Sequence, residues 1–167
     1  MSVTQTEFET AIDKISDPIT AYAYASTPTA TTCTAADTWY FFASTFTNQV
    51  ASNISGHDNG IRIDKDGRIE IEFVADGSAD KSGRVSLGIV KNGTFTAGEL
   101  TSGSVLAGSE GSYYADISGA GVGDGSALSL WAGDIEDGDI ISLVIKCQNV
   151  TTTFTPVSAA TSLQQLT

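Results

Sequence analysis

Short segments in which apolar and polar residues alternate follow one another from residue 38 to the end of the chain. A period of two is typical of strands with one buried face. Residues 140–147 also carry Val144 on the opposite face, which predicts a strand that is covered on both sides. The predicted strands are 38–46, 60–64, 68–73, 84–90, 112–117, 126–132, 140–147 and 158–167.

Turn and loop signals separate these segments. Asp66-Gly67 and Asn92-Gly93 are turn dipeptides, and 134–139 is an acidic turn. Roughly eight or nine short strands without an intervening helix predict an all-β protein, either an antiparallel sandwich or a jelly roll. The predicted loops are 75–83, 97–112 and 118–126.

Residues 1–16 have a helical pattern instead. Thr4 to Glu7 has the form of a capping box, and Asp17-Pro18 ends the pattern. Phe8, Ile12 and Ile15 lie on one apolar stripe, which predicts a short amphipathic helix that must bury this stripe against something.

Residues 17–37 are rich in Ala, Thr, Ser and Pro. This composition predicts an extended arm or linker outside the core. Tyr22 and Tyr24 alternate and are candidates to pair along a neighbour's strand, with a flexible tether that leaves both tyrosines exposed as the alternative. The predicted organisation is an N-terminal helix and arm over 1–37, followed by a β domain over 38–167.

The charge of the chain excludes several partners. Eight Lys and Arg residues against 20 Asp and Glu residues give a formal net charge of −12. This charge repels phosphate, so we expect neither nucleic-acid binding nor docking on an anionic membrane. The N-terminus lacks the apolar core of a secretory signal, and the chain has no apolar run of transmembrane length.

The residue types that enzymes use are scarce. His57 is the one histidine, and it lies in a turn-rich stretch, where we expect a solvated side chain. The nucleophile elbow, the P-loop and the HExxH motif are absent, so we expect no catalytic residues, no cofactor and no enzyme activity.

The two cysteines do not form a metal-binding pattern. Cys33 and Cys147 are far apart in the sequence, and we expect free thiols, with a disulfide as the alternative outside the cell. The acidic group at 134–139 is expected to be a solvated turn without a metal, with a calcium site as the alternative.

Several motifs follow one another over residues 38–167. They are WYFF at 39–42, NGIRI at 59–63, DGRIEI at 66–71, VKNG at 90–93, ALSL at 127–130, DGDIISL at 137–143 and the closing ATSLQQL. Their order resembles that of the C1q/TNF-like jelly roll. The closing segment is similar to the terminal strand of bacterial and phage versions, whereas the Gly/Ser-rich stretch 97–112 departs from the family pattern. The resemblance implies a homotrimer around a threefold axis. The candidates for the trimer interface are Tyr40, Phe42, Tyr113, Tyr114 and Trp131, for each of which ordinary core packing is the alternative.

The acidic, Lys-poor composition and the resemblance together suggest a phage virion protein, similar to trimeric capsid decoration proteins of the cement or head-fibre type. It would be made in the host cytoplasm and would lie on the virion surface. Its N-terminal region would bind the major capsid protein through Phe8, Ile12, Ile15, Tyr22 and Tyr24.

Two alternatives remain open. In the first, the chain is a tail-fibre or receptor-binding tip that contacts the host through its long loops. In the second, it is a lectin-like module in which Trp39, Trp131 or Tyr114 stacks on sugar and the acidic group holds calcium.

Overall fold

A computed structural model describes residues 4–6, 17–27, 29–43, 45–58, 60–117 and 122–166. These residues contain fourteen strands. The first seven are β1 (Thr20–Thr27), β2 (Thr31–Cys33), β3 (Trp39–Phe41), β4 (Thr45–Ser52), β5 (Ile54–His57), β6 (Gly60–Ile63) and β7 (Gly67–Ala79). The second seven are β8 (Gly83–Lys91), β9 (Thr94–Thr96), β10 (Glu99–Ser102), β11 (Gly111–Ala115), β12 (Gly123–Ile135), β13 (Ile140–Cys147) and β14 (Thr152–Gln165).

The strands form two antiparallel sheets. Sheet A has the order β12–β7–β14–β1–β4, with the short β2 beside β14. Sheet B has the order β11–β8–β13–β3–β10–β9, with β6 beside β13 and β5 beside β6. The predicted all-β sandwich is therefore confirmed.

The core lies between the inner faces of the two sheets. In β7 the alternation predicted by the sequence is confirmed, because Ile69, Ile71 and Phe73 are buried. The ring of Phe73 meets that of Phe42 edge to face, with 5.0 Å between the ring centroids. Val144 of β13 is also fully buried, as predicted for a strand covered on both sides.

Residues 19–27 are not an arm outside the core. β1 pairs with β14 on one side and with β4 on the other, so it lies inside sheet A. Ile19, Ala21 and Ala23 are buried. The predicted boundary at residue 37 therefore does not separate an arm from the core. The inner face of β1 is formed largely by small alanines, so this segment of the sequence has no strong apolar pattern.

Two predicted loops are partly strand. β7 continues to Ala79 through most of 75–83, and β12 begins at Gly123 inside 118–126. The glycine in this part of β7 has a packing reason, because a Cβ atom on Gly77 would lie 2.5 Å from the Phe154 ring. The small residues therefore allow close approach between strands and do not mark a turn.

The stretch 97–112 also carries structure. It contains β10, and Val105 forms an isolated bridge with Val90 along the edge of β8. The Ser109 hydroxyl accepts a hydrogen bond from the Ile89 backbone N–H at 3.2 Å. This stretch thus continues the edge of sheet B along β8 ahead of Gly111, the first residue of β11.

The predicted N-terminal helix lies almost entirely outside the described residues. Gln5 and Thr6 have helical backbone, whereas Phe8, Ile12 and Ile15 are not described. Among the described residues, no helix is long and apolar enough to cross a membrane.

Candidate interaction surface

The side of sheet A that faces away from the core carries apolar side chains in two adjacent cross-strand rows. We call this side the sheet-A outer face. The first row consists of Tyr24, Ala160, Val74 and Leu128, and the second of Tyr22, Ser162, Glu72 and Leu130. Each row runs from β1 through β14 and β7 to β12.

The large apolar side chains of these rows are about half-exposed. The exposed fractions are 48% for Tyr22, 42% for Tyr24, 51% for Leu128 and 45% for Leu130. The solvated side of an antiparallel sheet is usually polar, whereas a contiguous exposed apolar patch marks an interaction surface. The tyrosines lie on β1 and the leucines on β12, so the two apolar pairs are separated by the width of two strands.

Polar rows flank these two rows on both sides. The Ser158 hydroxyl donates to the Asp76 carboxylate at 2.7 Å. Hydrogen bonds from Ser126 and Ser158 lower the pKa of Asp76 below its usual value. On the other side, Glu70 pairs with Gln164 and Ala132. The sheet-A outer face therefore carries one apolar edge on β1 and one on β12, with Ser162 and Glu72 between Tyr22 and Leu130 and with acidic side chains beyond both rows.

The structure does not bring the five predicted interface residues to one face. Tyr40 and Phe42 are buried in the core, and the Tyr40 hydroxyl accepts a hydrogen bond from the Ala35 N–H at 2.9 Å. Tyr113 and Trp131 point inward and pack against the core. These four side chains are thus engaged within the subunit, because each lies on the inner face of its strand. Of the five, Tyr114 alone is exposed, at 65%.

The partial burial of Tyr113 changes the pKa of its hydroxyl. Burial, together with the neighbouring Cys147 and Asp124, raises the pKa of Tyr113 to about 12. Its hydroxyl has no hydrogen-bond partner within the described part of the chain. The Tyr113 hydroxyl therefore keeps its proton to a higher pH than an exposed tyrosine does.

Tyr22 and Tyr24 lie on the sheet-A outer face and are not paired along a neighbour's strand. Their backbones are paired on both sides within the same subunit, by β14 and β4. The sequence predicted these two residues for capsid binding, but it did not find the leucines opposite them. The sequence of 126–132 did contain a signal for these exposed leucines. Leu128 and Leu130 alternate there with small residues, and small residues can form the buried side of a strand.

The acidic turn after β12 does not form a cluster of converging carboxylates. Asp139 is buried and forms an ion pair with Lys91, with 3.0 Å between Nζ and Oδ2. Its carboxylate also accepts hydrogen bonds from the Asn92 amide at 2.7 Å and from the Glu136 backbone N–H at 2.9 Å. Asp137 forms a long ion pair with Arg62, at 3.9 Å. Asp139 therefore acts as a structural anchor that ties this turn to the end of β8.

These contacts also set the protonation of Asp139. Partial burial acts to raise its pKa, but the Glu136 N–H, the Asn92 amide and the Lys91 ammonium together hold the pKa below the usual value. Among the described residues, no three His, Cys, Asp or Glu side chains gather as a metal site. The turn is thus maintained by protein donors.

The aromatic residues considered for sugar stacking lie on different faces. The Lys146 ammonium lies 4.5 Å from the Trp39 ring centroid, in a cation–π contact on the outer side of sheet B. Trp131 faces the core from sheet A, as described above. The structure therefore does not assemble these tryptophans into one stacking platform.

His57 is exposed at the end of the β5–β6 hairpin. It lies at the rim of an open groove of about 380 Å³, whose floor includes Phe42, Phe46 and Leu143. Ser55 and Asp58 complete the polar rim. The prediction of a solvated histidine agrees with this exposure.

Comparison with known proteins identifies the fold of this chain. No protein-family model matches the chain, and no curated protein matches it. Among solved structures, Eiger TNF from S. frugiperda matches with a TM-score of 0.61 and 11% identity, over 89% of this chain and 92% of that chain. The fold is TNF-like. Murine APRIL at pH 8.0 matches with a TM-score of 0.58 and 11% identity, over 89% of this chain and 98% of that chain.

A second structure of murine APRIL, at pH 5.0, agrees, with a TM-score of 0.57 and 12% identity over the same shares of the two chains. The TNF-like match covers nearly the whole chain, and it confirms the jelly-roll class that the motif order suggested. At this level of identity the likeness concerns the fold alone.

Proposed function

We propose that this protein is a homotrimeric structural protein without enzyme activity, whose subunits pack through the sheet-A outer face. The observation that carries the proposal is the pair of half-exposed apolar edges on that face, with tyrosines on β1 and leucines on β12. The resemblance to the TNF-like family, which implies a homotrimer, supports the same conclusion.

The spacing of the two apolar edges favours a cyclic arrangement. Three strand-to-strand steps of about 4.8 Å place β1 roughly 14 Å from β12. In a cyclic trimer the contact is heterologous, so one edge of each subunit meets a different edge of the next. Tyr22 and Tyr24 of one copy then cover Leu128 and Leu130 of its neighbour, and each edge is used once.

We further propose that the trimer decorates the surface of a phage capsid and binds the major capsid protein through residues 1–16. The apolar stripe predicted for this segment supports an attachment role. Asp17, the residue that follows this segment, is held by the β domain. The Asp17 carboxylate accepts a hydrogen bond from the Ser52 hydroxyl at 3.1 Å, and its backbone carbonyl accepts one from the Lys65 ammonium at 2.9 Å. Asp17 is thus held beside the end of β4.

Charge supports a place on the outside of a particle. Each subunit contributes a formal charge of −12, which a trimer triples. A strongly charged coat keeps particles apart by mutual repulsion and gives little attraction to nucleic acid.

Two measurements test the proposal in sequence. Light scattering of the purified chain at micromolar concentration should give three times the subunit mass of 17.3 kDa, and a monomer would contradict the trimer. Phage particles that lack the protein should then capture the full chain in a sedimentation assay. A variant without residues 1–16 should remain a folded trimer but should not sediment with the particles.

The deletion must end before residue 17, because a deletion through residue 37 would remove β1 and β2 from sheet A. Val150→Asp is a suitable full-length control, which should remain a trimer and still sediment with the particles. Val150 is exposed in the turn before β14, away from both apolar edges. Capture of the variant without residues 1–16 would contradict the attachment role. Cryo-electron microscopy of the particles would separate a capsid location from a tail location.

A further inference from the structure

The two cysteines are neighbours across the core. Cys33 is the last residue of β2 in sheet A, and Cys147 is the last residue of β13 in sheet B. Their exposed fractions are 0% and 1%, and both are free thiols. Both side chains belong to the same buried core cluster, and β2 and β13 contact each other across the core. One side chain from each sheet therefore meets the other inside the sandwich.

Backbone contacts hold Cys33 and Cys147 near each other. The chain that follows Cys33 crosses from sheet A to sheet B, and the Asp37 N–H donates to the Cys147 carbonyl at 2.9 Å. On the other side, Cys33 pairs with Thr152 of β14, five residues after Cys147 in the chain. Both cysteines are thus held in position by strand pairing and by a hydrogen bond between segments.

We propose that Cys33 and Cys147 are a latent intramolecular disulfide, which forms under oxidising conditions and joins sheet A to sheet B. This inference does not depend on the proposed function. It requires two thiols that are neighbours in the folded state, and the structure places both in one core cluster where β2 meets β13.

The chemistry is thiol–disulfide exchange with glutathione disulfide as the oxidant. One protein thiol loses its proton, and the thiolate attacks a sulfur of glutathione disulfide, which releases one glutathione and leaves a mixed disulfide. The second protein thiol then loses its proton and attacks the protein sulfur of that mixed disulfide, which releases the second glutathione. Two protein S–H groups are oxidised to one S–S bond, and one glutathione disulfide is reduced to two glutathione thiols.

The environment favours one order of attack. The interaction with Cys147 lowers the pKa of Cys33, whereas the same interaction and burial raise the pKa of Cys147. Cys33 is also the thiol that an oxidant reaches more readily. It lies on a strand of three residues that pairs with β14 alone among the described strands. Short edge elements open at low cost, which gives the oxidant access to the buried thiol.

The bridge would close a covalent loop from residue 33 to residue 147. A loop of this length restricts the unfolded chain strongly, so oxidation should raise the midpoint of thermal unfolding by about 10 °C. The change occurs inside each subunit and needs no second copy.

The test uses the full chain without substitution. The protein is incubated with oxidised glutathione under native conditions, denatured, alkylated and digested with trypsin. The expected product links the peptide 15–62, which contains Cys33, to the peptide 147–167, which contains Cys147. Reduction with dithiothreitol should separate the two peptides and reverse the shift in thermal midpoint.

The control is Cys147→Ser, which keeps a small polar group at the position. This variant should form no linked peptide and should show no increase in the thermal midpoint after oxidation. The proposal is overturned if both thiols of the oxidised, folded wild-type protein are fully alkylated. A disulfide between two chains in place of the linked peptide would overturn it as well.

Discussion

Tyr24 and Leu128 lie at opposite ends of one cross-strand row of sheet A, with Ala160 and Val74 between them. Both ends of the row are about half-exposed, although the row contains no charged side chain. In the proposed cyclic trimer, one neighbouring subunit buries the Tyr24 end of this row and the other neighbour buries the Leu128 end. The first prediction follows from this relationship.

Leu128→Asp should dissociate the trimer. The substitution places a carboxylate where a neighbouring subunit would cover it, and an unpaired buried charge opposes association. We expect association to weaken roughly 100-fold, which corresponds to about 2.7 kcal/mol. Light scattering over a dilution series measures the change, and Val150→Asp should leave the mass unchanged. An unaltered mass for Leu128→Asp would place the interface on another surface.

Phe42→Ala should lower stability and not change assembly. Phe42 is buried, and its ring meets those of Phe73 and Phe46 at centroid distances of 5.0 and 6.1 Å. Truncation of a buried phenylalanine costs about 3–5 kcal/mol because a cavity remains. Urea unfolding at fixed protein concentration gives the difference. Tyr114→Ala removes an exposed ring and should change the free energy of unfolding by less than about 0.5 kcal/mol.

Asp139→Asn should destabilise the protein at neutral pH by about 1–3 kcal/mol, because Lys91 loses its ion pair and the turn loses charged hydrogen bonds. The pKa of Asp139 is lowered in the folded state. Its stabilising contribution is therefore fully present above the unfolded-state pKa of about 3.9 and is lost as the pH falls through the lower folded-state value.

The difference between wild type and Asp139→Asn in urea unfolding should consequently shrink as the pH is lowered from 7 to below 4. Asp134→Asn is the matched control, since it makes the same charge change at an exposed site of the neighbouring strand. It should alter stability by less than about 0.5 kcal/mol. A difference for Asp139→Asn that stays constant at all pH values would contradict the role of its carboxylate.

Gly111→Ala should destabilise the fold more than Gly56→Ala. A Cβ atom on Gly111 would overlap the Leu128 carbonyl, so the backbone of β11 or β12 must move. Such overpacking costs about 1–3 kcal/mol. Gly56 has open space around the position of a Cβ atom, and its substitution should cost less than about 0.5 kcal/mol. Equal thermal midpoints for the two variants would show that β11 and β12 are not in close contact.

Much of the fold was predictable from local patterns. The alternation of Ile69, Ile71 and Phe73 indicated their buried side, and Asn92-Gly93 indicated a turn, in which Asn92 has a positive φ of 55°. These signals are local because strand periodicity and turn chemistry depend on neighbouring residues. The motif order added the jelly-roll class, which the TNF-like structures confirm.

The assignment of aromatic residues to core or surface was not predictable in the same way. Tyr40 and Phe42 were interface candidates and are buried, whereas Leu128 and Leu130 are exposed on the sheet-A outer face. Alternation identifies two faces of a strand, but it does not say which face the second sheet covers. That choice depends on pairing between distant segments, such as β1 with β14.

The sequence by itself determined the strands with clear alternation, such as β7 and β13, together with the turns, the acidic charge and the scarcity of catalytic groups, because each is a property of composition or of a short window. Only the tertiary structure decided which apolar side chains remain exposed for contact with another copy of the chain. It also decided that Cys33 and Cys147 are neighbours in the core. Both results require contacts between residues far apart in the chain, and these contacts form only when the two sheets pack.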